Sequence, residues 1–139
     1  MSNSDPIVIV SCARTPMGGL QGDFATVTAS ELGGVAIRAA LEHGRVAAED
    51  VDEVIMGNVL PAGQGQAPAR QAAWKAGIPR SAGATTINKM CGSGMKAVMF
   101  AHDTLVAGGA NVMVVGGDGK HDQCAVPASE NAVGPQIRS

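Results

Sequence analysis

The stretch "ATTINKMCGSGMKAVMFAHDTLVAGGANVMVVGG", Ala84 to Gly117, decides the fold. Its opening ATTIN is short, β-branched and strand-like. GSGMKAVMFAHDTLVAGG then reads as a helix, with Gly108 and Gly109 as its stop. NVMVVGG returns to a strand. A strand, a helix and a strand in close succession make a crossover unit, the building block of a parallel sheet.

The same alternation extends upstream. PIVIVSCA, Pro6 to Ala13, is a near-continuous β-branched run of the kind found in a strand covered on both faces. SELGGVAIRAALEHG predicts a helix with Ser30 as N-cap candidate and Leu32, Val35, Ala36, Ala39 and Ala40 at helical spacing. VDEVIMGNVL, Val51 to Leu60, predicts a second strand, and APARQAAWKAG a helix closed by Gly77. Four strands alternating with three helices predict an α/β fold with crossover helices. The helix after ATTIN is apolar on more than one narrow stripe, through Met95, Val98, Met99, Phe100, Leu105 and Val106. Helices of that kind are buried on several sides, which predicts a covering layer that this chain does not supply.

Cys91 stands where the ATTIN strand gives way to the helix. A cysteine's nucleophile is its thiolate, and a helix start offers that anion unpaired N–H groups and the positive end of the dipole. Gly92 and Gly94 remove side chains, so a bulky acyl group has room to approach. Strand, nucleophile, glycine turn and helix recur in acyl-transfer enzymes. The residues alone also fit a small packed apolar side chain, the commonest fate of an isolated cysteine. Cys12 reads as core packing. His43 suits a helix C-terminus, and His102 reads as packing or surface.

Composition narrows the function classes. The 139 residues are 45% apolar and 16% charged, a folded rather than disordered balance. Only 2% are aromatic, so Val, Ile, Leu, Met and Ala must build the core. A net charge of −2 without a basic cluster argues against nucleic acid and anionic membranes as partners. The opening MSNSDPIVIV lacks a charged n-region with a long apolar run, and no stretch reaches transmembrane length. Three cysteines without framework spacing suit a reducing compartment. The expectation is a soluble cytoplasmic protein that holds no metal.

NKMCGSGMKAV resembles the nucleophile segment of the thiolases, N-x-x-C-G-S-G-x-K-A. IVIVSCARTPMGGLQGDF resembles their opening strand and Arg-Thr-Pro turn, MGNVLPAGQGQAPARQAA their G-N-V-L…G-Q-x-P-A-R-Q segment, and VMVVGG the strand after the nucleophile helix. The resemblance covers residues 1 to 117 almost without a gap. Ala67 departs from it, since many relatives carry Asn there, in a loop that helps form the family's dimer contact. The resemblance implies the N-terminal half of a thiolase-like fold, incomplete, with a mixed sheet and helices on both faces. It also implies acyl transfer between CoA thioesters through a Cys91 acyl-enzyme, in condensation of two acetyl-CoA or the reverse thiolysis. CoA thioesters enter as substrates, no further cofactor is needed, and the intact family forms homo-oligomers, dimers or tetramers. The family's activating histidine and second cysteine lie in Gly-His-Pro and Cys-x-Gly contexts, and neither context occurs in these residues. Ketoacyl synthases share the fold but surround their nucleophile differently.

The tail DGKHDQCAVPASENAVGPQIRS leaves the resemblance after Gly117. The family continues close to M-E-S-M-x-N-A-P-Y-L. Back-translation of Asp118 onward permits codons that, read one base later, give MESMTNAPYLLPKMRSGL. Most bases are fixed by the residues, and the agreement persists almost to the end. Residues 1–117 are thus expected to be a partial thiolase N-terminal domain. Residues 118–139, with His121 and Cys124, are expected to be an out-of-frame tail. This predicts an inactive chain on its own, or at most a remnant that binds intact thiolase subunits.

Overall fold

The computed structural model describes residues 7–119. His121, Cys124 and the tail beyond Gly119 lie outside the described residues. The elements run α1 (Ala29–Gly44), a 3₁₀ turn (Ala48–Asp50), β1 (Glu53–Gly57), α2 (Pro68–Lys75), β2 (Gly83–Ile87), α3 (Ser93–Val106) and β3 (Met113–Gly117). The strands form one sheet in the order β2-β1-β3, with every pair parallel. The antiparallel component of the expected mixed sheet does not fall among the described residues.

Alternation along β1 sorts the layers. Val54 and Met56 point to the face covered by α1 and α2, where Ile37, Leu41, Ala69, Ala72, Ala73 and Ile78 close the core. Ile55 and Gly57 point the other way, and α3 packs over Gly57. Helices therefore lie on both faces. Val54 is wholly buried, and burying one such side chain is worth about 1.5–3 kcal/mol. With so few aromatics, the helices approach closely instead. At Gly34 of α1 a Cβ would lie 2.7 Å from the Lys75 Cβ and 3.3 Å from the Ala72 carbonyl oxygen of α2.

Two expectations are corrected. The N-cap of α1 is Thr28, not Ser30. Thr28 and Glu31 form a reciprocal capping box, with Thr28 Oγ1 accepting from Glu31 N and a Glu31 carboxylate oxygen accepting from Thr28 N at 2.6 Å. Ser30 is buried inside the helix and accepts from Lys75 Nζ at 2.7 Å. The run Pro6 to Ala13 is the second case, because residues 7–13 form no strand. Ile9 is 82% exposed and Val8 and Val10 nearly as open. Among the described residues no strand lies beside this run to supply ladder bonds, so β propensity alone does not order it. Cys12 is consequently exposed rather than packed in a core.

Candidate active-site elbow

The parallel strands all end on one edge, with Gly57 opposite both Ile87 and Gly117. Open α/β sheets place their ligands at this carboxyl edge. The chain leaves β2 there, turns through Asn88 to Gly92 and enters α3. Cys91 sits in this turn and is exposed to solvent.

The turn is held by its own side chains. Asn88 Oδ1 accepts from Met90 N at 2.9 Å, and Asn88 Nδ2 donates to the Val59 carbonyl at 3.2 Å. Buried Ser93 accepts from Lys89 N at 3.0 Å and donates to the Met90 carbonyl at 2.8 Å. Met90 takes a left-handed φ of 46°, a conformation that costs about 1–2 kcal/mol for a residue with a Cβ. The paired hydrogen bonds on both sides offset that cost. The N-cap of α3 is Gly92, and no side chain caps the helix. That leaves its dipole end accessible on the side of Cys91.

The seat beneath the elbow is Gly57. A Cβ there would collide with the Ser93 Cβ and stand 2.8 Å from the Ser93 carbonyl carbon. Glycine at this point allows the first turn of α3 to rest directly on the end of β1. The sequence motif that singled out Cys91 did not show this contact, because its two halves lie 36 residues apart (93 − 57).

The histidines stay away from the elbow. His102 is exposed on α3 with Nδ1 3.4 Å from Asp103 Oδ1, and His43 occupies the last turn of α1. Among the described residues no group of three His, Cys, Asp or Glu is placed to hold a metal ion. No described helix is long and apolar enough to cross a membrane. Sequence reading missed a second feature near the elbow, the buried pair Asn58 and Asp118 just beyond β1 and β3. A lone polar residue after each strand carries no sequence signal that the two will meet.

Fold and elbow together define an open parallel α/β unit with its candidate site at the carboxyl edge of the strands. The chain belongs to the thiolase family: the model described as thiolase, N-terminal domain, matches residues 7–131. It is 58% identical over 111 residues to an acetyl-CoA acetyltransferase of Cupriavidus necator, covering 80% of this chain and 28% of that one. It is 47% identical over 128 residues to the acetyl-CoA acetyltransferase of Schizosaccharomyces pombe, covering 92% of this chain and 32% of the relative. Among solved structures, the Acat5 thiolase from Ascaris suum in complex with coenzyme A superposes with a TM-score of 0.82 at 33% identity, over 88% of this chain and 32% of that one. The chain thus spans about a third or less of the length of the relatives it matches. Other matching relatives are named as a mitochondrial form in Danio rerio and a cytosolic form in Gibberella zeae.

Proposed function

We propose that Cys91 is the acyl-carrying nucleophile of an acetyl-CoA acetyltransferase. The observation that carries this reading is an exposed thiol on a braced turn, at the carboxyl edge of a parallel sheet and the uncapped start of α3. In condensation the thiolate attacks the thioester carbonyl of acetyl-CoA; in thiolysis it attacks the 3-keto carbonyl of a 3-ketoacyl-CoA. A Cys91 thioester forms in both directions: in condensation the carbon–sulfur bond to coenzyme A breaks and a proton restores the coenzyme A thiol, whereas in thiolysis the C2–C3 bond breaks and a proton on the freed α-carbon releases acetyl-CoA. The acyl group then passes to the α-carbon of a second acetyl-CoA in condensation. In the thiolytic direction it passes back to the sulfur of free coenzyme A. The acid/base histidine and second cysteine that the family reading requires have no counterpart among the described residues, so we propose that these 139 residues alone do not complete the cycle. CoA thioesters are the proposed substrates, and assembly into a homo-oligomer is proposed for the intact family member. The cytoplasm is the proposed compartment, supported by cysteines without framework spacing.

Alkylation tests the nucleophile. Iodoacetamide at neutral pH, followed by peptide mapping, is expected to label Cys91 about tenfold faster than Cys12, although both are exposed, because only Cys91 of the two adjoins the uncapped start of a helix. Equal rates would remove the basis for assigning Cys91 a catalytic role.

The reading-frame boundary after Gly117 is proposed on similar terms. Asp118 is 4% exposed, and its Oδ2 has no hydrogen-bond partner among the described residues. A buried carboxyl with one oxygen unmatched is unfavourable, and the shifted frame places a methionine codon across that of Asp118. The match to the family model ends at residue 131, past this boundary. Resequencing codons 115 to 125 checks it: one base fewer would restore the family-like frame, whereas the present base count would leave the tail genuine. A second reading, a remnant that binds intact thiolase subunits, is favoured by the uncovered apolar side chains of α3. Co-purification with a full-length thiolase would support it.

A further inference from the structure

The pair Asn58 and Asp118 joins the ends of β1 and β3 beneath α1. Asn58 is 2% exposed, and Asn58 Nδ2 lies 3.3 Å from Asp118 Oδ1 and 3.4 Å from the Asp118 carbonyl. Asp118 N donates to the Gly57 carbonyl at 3.0 Å, extending the β1–β3 ladder by one rung. On the α1 side stands Gly33, where a Cβ would meet the Asp118 Cβ at 3.0 Å and the Ala72 Cβ of α2 at 3.1 Å. The site is therefore sealed by backbone and small side chains. Two polar atoms inside it have no partner among the described residues, Asn58 Oδ1 and Asp118 Oδ2.

These two orphans are complementary only in one protonation state. A carboxamide and a carboxylic acid can close a two-bond ring, an N–H to one acid oxygen and an acid O–H to the amide oxygen. The N–H bond is already in place. The other needs a proton on Oδ2. We propose that Asp118 and Asn58 form a proton-dependent latch: protonated, the acid donates to Asn58 and holds the end of β3 against β1 and α1; ionised, it leaves two buried acceptors unmatched and the end opens.

The surroundings agree with this assignment. Burial drives the Asp118 carboxyl above the ordinary aspartate range, outweighing the Asn58 amide and its own backbone N–H, which pull it down. Among the described residues no Lys, Arg or His acts on it. β1 contributes the Gly57 carbonyl, α1 and α2 contribute Gly33 and Ala72, and α3 begins beside Gly116 and Gly117 with Gly94, none of them charged. Because the folded-state value is raised, the stabilisation is present at acid pH and is lost as pH rises through that value. The latch is independent of Cys91 and of the acyl-transfer reading, and it belongs to the chain with aspartate at 118; a frame restored at that codon would remove it.

Two measurements on the full 139-residue chain decide it. Carboxyl ¹³C NMR, with the Asp118 resonance assigned by its absence in Asp118→Asn, is expected to show a titration midpoint above that of free aspartate. The amide protection factor at Asp118, which divides out intrinsic base catalysis, is expected to fall as pH rises through that midpoint. The fall should approach tenfold for each unit by which the midpoint exceeds free aspartate. In Asp118→Asn the new amide can donate to Asn58 Oδ1, so protection there should stay level across the same range. A midpoint at or below that of free aspartate, or protection that ignores it, would overturn the latch. An equal fall in Asp118→Asn would do the same. Should the variant fail to fold, sequential triple-resonance assignment of the wild-type Asp118 carboxyl replaces it, and the wild-type titration still decides.

Discussion

Ala67 shows how a single side chain sets the local balance. It is the N-cap of α2 with a left-handed φ of 46° and makes no side-chain hydrogen bond to the helix. Asparagine tolerates that conformation better and can accept from an N-terminal N–H. Ala67→Asn is therefore expected to stabilise the chain by about 1 kcal/mol, read as a higher urea midpoint; an unchanged or lower midpoint would contradict it. Gly57 is the opposite case, since any Cβ collides with Ser93 and lies near backbone that cannot step aside. Gly57→Ala is expected to cost about 3 kcal/mol and to displace the start of α3. Slower alkylation of Cys91 relative to Cys12 in that variant would register the displacement.

At the scale of elements, the short strands depend on anchors at their ends. Asp52, just before β1, accepts from Asn111 N at 2.7 Å and Val112 N at 3.0 Å, tying β1 to the entry of β3. Those two N–H groups hold its carboxyl below the ordinary aspartate range. The contribution is thus present above the unfolded-state value and is lost as pH falls through the lowered folded-state value. Asp52→Asn should destabilise the chain at neutral pH, with the difference from wild type vanishing in strong acid; a pH series of urea melts checks both limbs. The α1–α2 contact gives another sign. Alanine in a helix is worth about 1 kcal/mol over glycine, but at Gly34 the overlap with Lys75 and Ala72 outweighs that gain. Gly34→Ala is expected to lower the thermal midpoint, whereas a rise would mean that α2 shifts freely. Element positions were legible in the sequence wherever β-branched runs met glycine stops, as in β2, α3 and β3. Legibility failed at Pro6 to Ala13, because a strand requires a neighbour as well as a propensity.

At the scale of the molecule, one side of the sheet is underdressed. α3 buries only Ser93, Ala97 and Ala101, while Met95 is 70% exposed and Val98, Met99, Phe100 and Val106 are substantially open. With the uncovered Ile7 to Val10 run this is far more apolar surface than a stable monomer ordinarily presents. The 139-residue chain is expected to self-associate, and Met95→Lys with Met99→Glu to reduce light scattering at the same concentration without lowering the thermal midpoint. A monodisperse wild-type chain would show that this face is tolerated in water.

By itself the sequence determined the α/β alternation, the helix stops, the thiolase resemblance and the place of Cys91 at a strand–helix junction, because these depend on residues close together in the chain. Only the tertiary structure decided that Gly57 seats α3, that Ser93 and Asn88 brace the turn, that Cys12 is exposed, and that Asn58 meets Asp118 in a sealed site. Each of those depends on segments far apart in sequence being brought within a few ångströms, and close packing, unlike periodicity, leaves no local signature.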